Sequence, residues 1–400
     1  MPIDLTTAEQ DALFATAFSG SYQPSQVQFL LQKMQLENTD PAEKERLIQL
    51  GQKHYSQMIS HEKPPSDEHL NLYRQALAQE GERYALQVAQ LANRLAVHYT
   101  GDEPIILVSL VRAGVPLGVL LKDALSDVNK NSVHYGISII RDRGIDFAAL
   151  ESIIAKHGAE RLIFVDGWTG KGAIKGELMR SIGQDARFLD AMQKYGHDDL
   201  PLVTLADVAG VSWLSASGED WLIPSGILGS TISGLISRSI CVGDALQQHE
   251  INQENISEWH GCIEYEHLRA FDISQDFVAH INQIRQDLAK KQGGFFALGQ
   301  ATWTAAQRQQ QALQSSQVVQ NIAKQFDIEN LNRIKPGIAE ATRAILRRMP
   351  EMVILREADN PNTALLRYLT EKTSTPVIIM PDIAPYHAVT IIQKIGNVAD

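Results

Sequence analysis

The sequence predicts an α/β protein: an open parallel sheet with crossover helices, preceded by a helical layer and followed by a small second α/β module. Three observations predict it. Between residues 104 and 240, short apolar runs alternate with amphipathic stretches, the pattern of repeated strand–helix units. Over residues 9–99 apolar residues such as Val27, Leu30, Leu31 and Met34 recur three and four apart, punctuated by Pro24, Pro41 and Pro64-Pro65. After a Gln-rich helical stretch at 307–320, helices alternate with two further strands, at 352–355 and 377–380.

Composition narrows the functional classes. A chain of 400 residues with 44% hydrophobic content fills two or three domains. Its 36 basic and 47 acidic residues leave a net charge of −11, which excludes a broad basic surface and leaves room only for a local patch. Two cysteines, Cys241 and Cys262, make neither a disulfide framework nor a four-thiolate metal site, and a cytoplasmic protein is expected. The first ten residues carry no secretory pattern, and the longest uncharged stretch, 222–237, is too short and too rich in Ser and Gly to span a membrane.

Four strands are expected in the sheet, at 105–110, 133–140, 162–165 and 202–206, and a ligand in such a sheet sits beyond their carboxyl ends. The first strand runs into Arg112, Ala113 and Gly114, followed by Pro116 and the apolar helical face Leu117, Leu120, Leu121 and Ala124. This is either a strand-to-helix turn whose amides hold phosphate or a plain turn with a solvated arginine. The third strand runs into Asp166, Gly167, Trp168, Thr169, Gly170, Lys171 and Gly172. Three glycines, a hydroxyl and a lysine between a strand and a helix are the parts of a phosphate cradle. The acid would bind ribose hydroxyls or hold Mg²⁺ through water. The second strand leads to Arg141, Asp142 and Arg143, a charged loop that either closes over an anionic substrate or is merely solvated. Asp207 ends the fourth strand and would touch substrate or cap a helix. Small residues at Gly226, Ser230, Ser233 and Ser237 suit one side of a closely packed helix or a substrate loop.

Arg112-Ala113-Gly114 and the segment 166–172 together resemble the pyrophosphate and phosphoribosyl-diphosphate loops of type I phosphoribosyltransferases, most like the orotate enzymes. Ser21-Tyr22 and the segments 107–121, 134–146, 164–174 and 223–239 resemble a bacterial family of tellurite-resistance and stress gene clusters. That family is described as phosphoribosyltransferase-like and is also named cysteine protease StiP; its members can end in a Pelota-type RNA-binding domain of the L7Ae class, which 333–395 resembles. The resemblance implies a phosphoribosyltransferase-like domain with its helical layer at 1–300, a linker at 301–332 and a Pelota-like domain at 333–400. It also implies binding of phosphoribosyl diphosphate with Mg²⁺ and transfer of ribose phosphate to a base or small acceptor. Asp166 would contact the ribose, 169–172 the 5′-phosphate and 112–114 the pyrophosphate. A homodimer is allowed. The sequence departs from the transferases in having Gly167 where a second acid is usual.

Two rival functions are carried alongside: a cysteine protease and a phosphate-binding sensor without turnover. The protease needs a thiolate beside a histidine. His260 and Cys262 are close in sequence and would share a face if extended, while Cys241 reads as packing. His260, Glu264 and His267 match no metal-ligand spacing, so no protein metal site is expected. In the carboxyl-terminal module, 333–372 holds eight basic and five acidic residues, a local +3. Lys335, Arg343, Arg347 and Arg348 would form a basic face suited to a structured RNA.

Overall fold

The computed structural model describes residues 14–241 and 259–394. Six strands, β1 (Gln28–Phe29), β2 (Ile105–Leu110), β3 (Ser132–Ile137), β4 (Leu162–Thr169), β5 (Leu202–Asp207) and β6 (Leu214–Ser217), form one sheet in the order β1-β3-β2-β4-β5-β6. Every pairing is parallel.

Both faces of this sheet are covered, and β2 shows why it reads as an unbroken apolar run. Ile105 and Leu107 point into one core with Val88, Leu117, Leu120 and Phe277. Ile106, Val108 and Leu110 point into the other, with Leu150, Ile153, Leu178 and Phe188. The first core is built by the helices Asp67–His98, Gly114–Asp127 and Ser274–Gln292, and the second by Phe147–His157, Ala173–Ile182 and Ala186–Tyr195. Burial of each such side chain contributes about 1.5–3 kcal/mol. The longest helix starts where the double proline stops: the Ser66 side chain accepts from the His69 amide, and Asp67 and Glu68 occupy the first turn.

Residues 27–34 are not helical. They are extended, with β1 on the sheet edge and Gln32–Lys33 paired in parallel with Gly261–Cys262. Val27, Phe29, Leu30 and Leu31 are all buried, so the helix-like spacing marks a segment covered on both sides rather than one amphipathic face. Residues 224–232 likewise form two short 3₁₀ turns, Pro224–Gly226 and Gly229–Ile232, instead of a packed α-helix.

The carboxyl-terminal unit has a four-stranded sheet of β7 (Ile334–Pro336), β8 (Pro350–Leu355), β9 (Val377–Ile379) and β10 (Ala388–Ile392), ordered β7-β10-β8-β9. Only β8 and β9 are parallel to one another. The helix Ala305–Gln325 packs Val318, Val319 and Ile322 against Ile334, Tyr386 and Val389 of this unit. A second of its helices, Ile338–Arg347, faces the main sheet, and a third is Ala364–Thr373. Ile338 and Ala341 share a core with Trp168 and Trp221, and Asp220 accepts from the Ile338 and His387 amides, each at 2.8 Å. Among the described residues no helix is long and apolar enough to cross a membrane.

Candidate functional site

At the carboxyl ends of β2 and β4 lies a cavity of about 300 Å³ whose far wall is the helix Ile338–Arg347. The two glycine-containing bends meet there. A Cβ on Gly114 would lie 2.0 Å from the Val165 carbonyl oxygen, and one on Gly167 would lie 2.9 Å from that of Ala113. The bends are therefore pressed backbone to backbone, and these glycines serve that contact.

The bend after β4 is shorter than its composition suggests, because Asp166, Trp168 and Thr169 still pair with β5. Thr169 Oγ1 donates to Asp207 at 2.7 Å and accepts from the Ala209 amide at 2.9 Å. Asp207 is fully buried and turned into the protein. Lys171 Nζ donates to the carbonyls of Leu331 and, at 3.3 Å, Ile334, so it ties the bend to the carboxyl-terminal unit. Burial, then Lys335 and Arg141, push its amine down to about 7. Tyr386 donates to the Gly170 carbonyl at 2.9 Å. Gly172 caps the helix Ala173–Ile182 with no side-chain acceptor, and both Gly172 and Ala173 line the cavity.

Asp166 also lines it, accepting from the Gly167 amide at 2.8 Å. Burial raises its carboxyl to about 7, against the opposing pull of that amide and of Arg343. Arg112 is buried and bonded to Glu62 at 2.9 Å and to the Ile236 carbonyl at 3.2 Å. Burial works to raise the Glu62 carboxyl, but Arg112, Arg347 and Ser230 outweigh it and hold it at about 2.

The charged loop after β3 splits. Arg141 lines the cavity, its amide donating to the Tyr55 hydroxyl at 2.8 Å. Arg143 instead approaches Cys241, Nη1 to Sγ at 3.6 Å. Cys241 is buried beside the turn Tyr55–Gln57, its amide donating to the Ser56 carbonyl at 3.0 Å. On that turn His54 Nδ1 pairs with Ser56 Oγ at 2.8 Å, and His54 Nε2 is buried without a partner. Burial, then Arg143, push this imidazole down to about 4. Burial also raises the Cys241 thiol, against Arg143.

Cys262 is sealed: it has no exposed surface, and burial pushes its thiol up to about 12. His260 is in the extended segment foreseen, but its ring pairs with Ser138 Oγ at 2.6 Å, and no hydrogen bond joins it to Cys262 among the described residues. The four basic residues foreseen as one outward face are divided. Lys335, Arg343 and Arg347 line the cavity, with Arg343 5.1 Å over the Trp168 ring, and Arg348 pairs with Glu45 at 2.9 and 2.6 Å. Sequence reasoning missed Glu62, His54, Tyr55 and Arg238, which come from segments with no motif and reach the site only through the fold.

Among the described residues no group of three His, Cys, Asp or Glu side chains is placed to hold a metal. The cavity offers Asp166 and Glu340 as carboxylates amid many more cations.

Residues 20–282 match the sequence model described as tellurite-like stress resistance cysteine protease StiP. Residues 313–394 match that of the PELOTA RNA binding domain. A protein of Acinetobacter baylyi named cysteine protease StiP is 59% identical over 388 residues, covering 97% of each chain. Among solved structures, a probable N-succinyldiaminopimelate aminotransferase from Thermus thermophilus aligns over 90% of both chains at 13% identity and a TM-score of 0.23, too low to carry an argument. These matches overturn the expectation of ribose-phosphate transfer in favour of the protease alternative, and what stands of the fold is a mixed α/β protein with a parallel sheet. The chain belongs to the family of the tellurite-like stress resistance cysteine protease StiP.

Proposed function

We propose that the chain is a cysteine-dependent peptidase with Cys241 as its nucleophile. The observation that carries this reading is the 3.6 Å approach of Arg143 to the Cys241 sulfur, which places a permanent cation where a thiolate would form. The name of the Acinetobacter relative supports it. Of the two cysteines, Cys262 has neither a cation in contact nor any exposed surface, whereas Cys241 follows Arg238 and Ser239 of the cavity wall by three and two residues. His54 is the imidazole for the proton. It is neutral at pH 7 and bonded through Ser56 to the segment that receives the Cys241 amide. In this reading the thiolate attacks the scissile carbonyl, His54 gives the thiol's proton to the leaving amine, and water hydrolyses the thioester.

The test is hydrolysis of a denatured protein substrate by the full chain. Cys241→Ala abolishes it, Cys262→Ala retains it, and His54→Ala lowers it by about 100-fold. Full activity in Cys241→Ala would overturn the assignment.

The match at residues 313–394 favours a second role, binding of structured RNA by the carboxyl-terminal unit. Since Arg343 and Arg347 face the cavity, RNA would use other cations of this unit. Hairpin RNA binding whose affinity falls linearly on a logarithmic salt scale is expected; no binding at low salt would remove this role.

A further inference from the structure

Three separate segments run from the cavity wall to Cys241. Arg238 and Ser239 line the cavity, and Cys241 follows Ser239 by two residues. Arg141 lines it, and Arg143, two residues on, brings Nη1 to 3.6 Å from the Cys241 sulfur. Tyr55 lines it, and the carbonyl of the next residue, Ser56, accepts from the Cys241 amide at 3.0 Å. Two extended residues span about 7 Å, the same reach as two residues of a bound peptide. A peptide with its scissile bond at Cys241 therefore carries a neighbouring side chain to this cavity.

The charges of the wall select that side chain. Arg112 is paired with Glu62 at 2.9 Å and Lys175 with Asp199 at 2.6 Å, while Arg141 lies 3.5 Å from Asp142 and Lys335 lies 3.8 Å from Glu340. Arg238 and Lys171 donate to backbone carbonyls. Arg343 has only the face of Trp168, and Arg347 has neither an ion pair nor a hydrogen bond among the described residues. Asp166 does not neutralise them fully, because burial raises its carboxyl to about 7. A guanidinium stays charged and presents five donors in a fixed fork, which a carboxylate meets through both of its oxygens.

We propose that this cavity is the specificity pocket of the peptidase, taking the side-chain carboxylate of a Glu or Asp within two residues of the cleaved bond, with Arg343 and Arg347 determining that choice. The assignment rests on Cys241 as nucleophile for cleavage, whereas binding of the acidic side chain stands apart from it. A space of about 300 Å³ is at the small end of ligand pockets, enough for one such side chain and too little for a folded segment. Both arginines come from the helix Ile338–Arg347, so the carboxyl-terminal unit completes a pocket whose other walls belong to the main sheet.

The experiment gives the full chain two pools of short mixed-sequence peptides, acetylated and amidated at their ends, with either Glu or Gln fixed at the centre. The Glu pool should be hydrolysed about tenfold or more faster. Arg347→Gln should remove most of that ratio and Arg347→Lys should restore part of it, whereas general damage would slow both pools alike. Arg347 is exposed, so its replacement leaves the core intact. Equal hydrolysis of the two pools, or a ratio unchanged in Arg347→Gln, would overturn the pocket and leave the peptidase standing. Cleavage confined to peptides with a free terminal carboxylate would overturn the side-chain source in favour of the chain end. A binding arm separates the pocket from the chemistry: by calorimetry, Cys241→Ala should bind the Glu pool more tightly than the Gln pool, and Cys241→Ala/Arg347→Gln should lose the preference. That preference without hydrolysis by the natural chain would overturn the cleavage role and keep the acid-binding site. Equal binding of the two pools would overturn the site itself.

Discussion

Thr169 Oγ1 donates to Asp207 Oδ1 across 2.7 Å, joining the carboxyl ends of β4 and β5 inside the protein. Asp207 also accepts from the amides of Val211 and Ser212 at 2.9 and 3.0 Å and from Trp303 Nε1 at 3.3 Å. One carboxylate thus organises the turn after β5 and fixes the bend that borders the cavity. Asp207→Ala leaves four donors without their acceptor and is expected to cost about 3 kcal/mol or more. Thr169→Val removes one hydroxyl of similar shape and is expected to cost about 1–2 kcal/mol. Urea unfolding of the two variants checks the order.

Asp166 of the cavity and Glu62, the partner of its Arg112, have opposite pH signatures. Glu62 is held at about 2, below its ordinary value, so its contribution is present above roughly pH 4.5 and is lost as pH falls toward 2. The shift corresponds to about 3 kcal/mol. Glu62→Gln should therefore lower the Tm at pH 7, with the gap closing near pH 2. Asp166 is raised to about 7, so its protonated form stabilises the fold at low pH and that contribution is lost as pH climbs through 7. Asp166→Asn should match the natural protein near pH 4 and exceed it at pH 8 by about 2 kcal/mol, allowing for solvent in the cavity. Thermal melts across this range separate the two.

The central strands were legible because parallel strands covered on both faces are written as unbroken apolar runs, as in Ile105–Leu110. The edges were not. β1 is two residues long and β6 reads Leu-Ser-Ala-Ser, too short and polar to stand out. Residues 27–31 show the opposite failure, where burial on two sides imitates helical spacing. At the site, local composition located both bends, since glycines between a strand and a helix have few other uses. It could not show that Thr169 and Lys171 are already engaged. Nor could it orient the helix Ile338–Arg347: its arginines are visible as a basic face, but the side to which that face turns is set by Tyr386, Asp220 and the shared core with Trp168. Arg143 approaches Cys241 from a segment far away in the chain, and Ser56 links His54 to the Cys241 amide from a third, which no spacing rule connects.

Arg143 should govern the reactivity of Cys241. Burial raises this thiol and the guanidinium opposes that rise, so Arg143→Gln leaves burial unopposed and lowers the thiolate fraction. Alkylation of the native chain by iodoacetamide at pH 8, followed by mass spectrometry, should mark Cys241 well ahead of Cys262. In Arg143→Gln the Cys241 rate should fall several-fold, since burial then acts on the thiol unopposed. An unchanged rate would show that the 3.6 Å contact has no electrostatic consequence.

Two glycines of the same region should respond in opposite ways to alanine. Gly114 opens the helix Gly114–Asp127 with its α-carbon against the backbone of β4, where an added methyl would stand 2.0 Å from the Val165 carbonyl oxygen. That oxygen belongs to a strand paired on both sides and cannot withdraw, so the two bends must separate. Gly114→Ala is expected to cost about 3 kcal/mol and to open the cavity. Gly176, inside the helix Ala173–Ile182, meets nothing within 4 Å and is exposed. Gly176→Ala restricts the unfolded chain without a clash and is expected to stabilise by about 0.5–1 kcal/mol. Denaturant midpoints measured side by side decide it. If Gly114→Ala were as stable as the natural sequence, the bends could not be in backbone contact and the floor of the cavity would have to lie elsewhere.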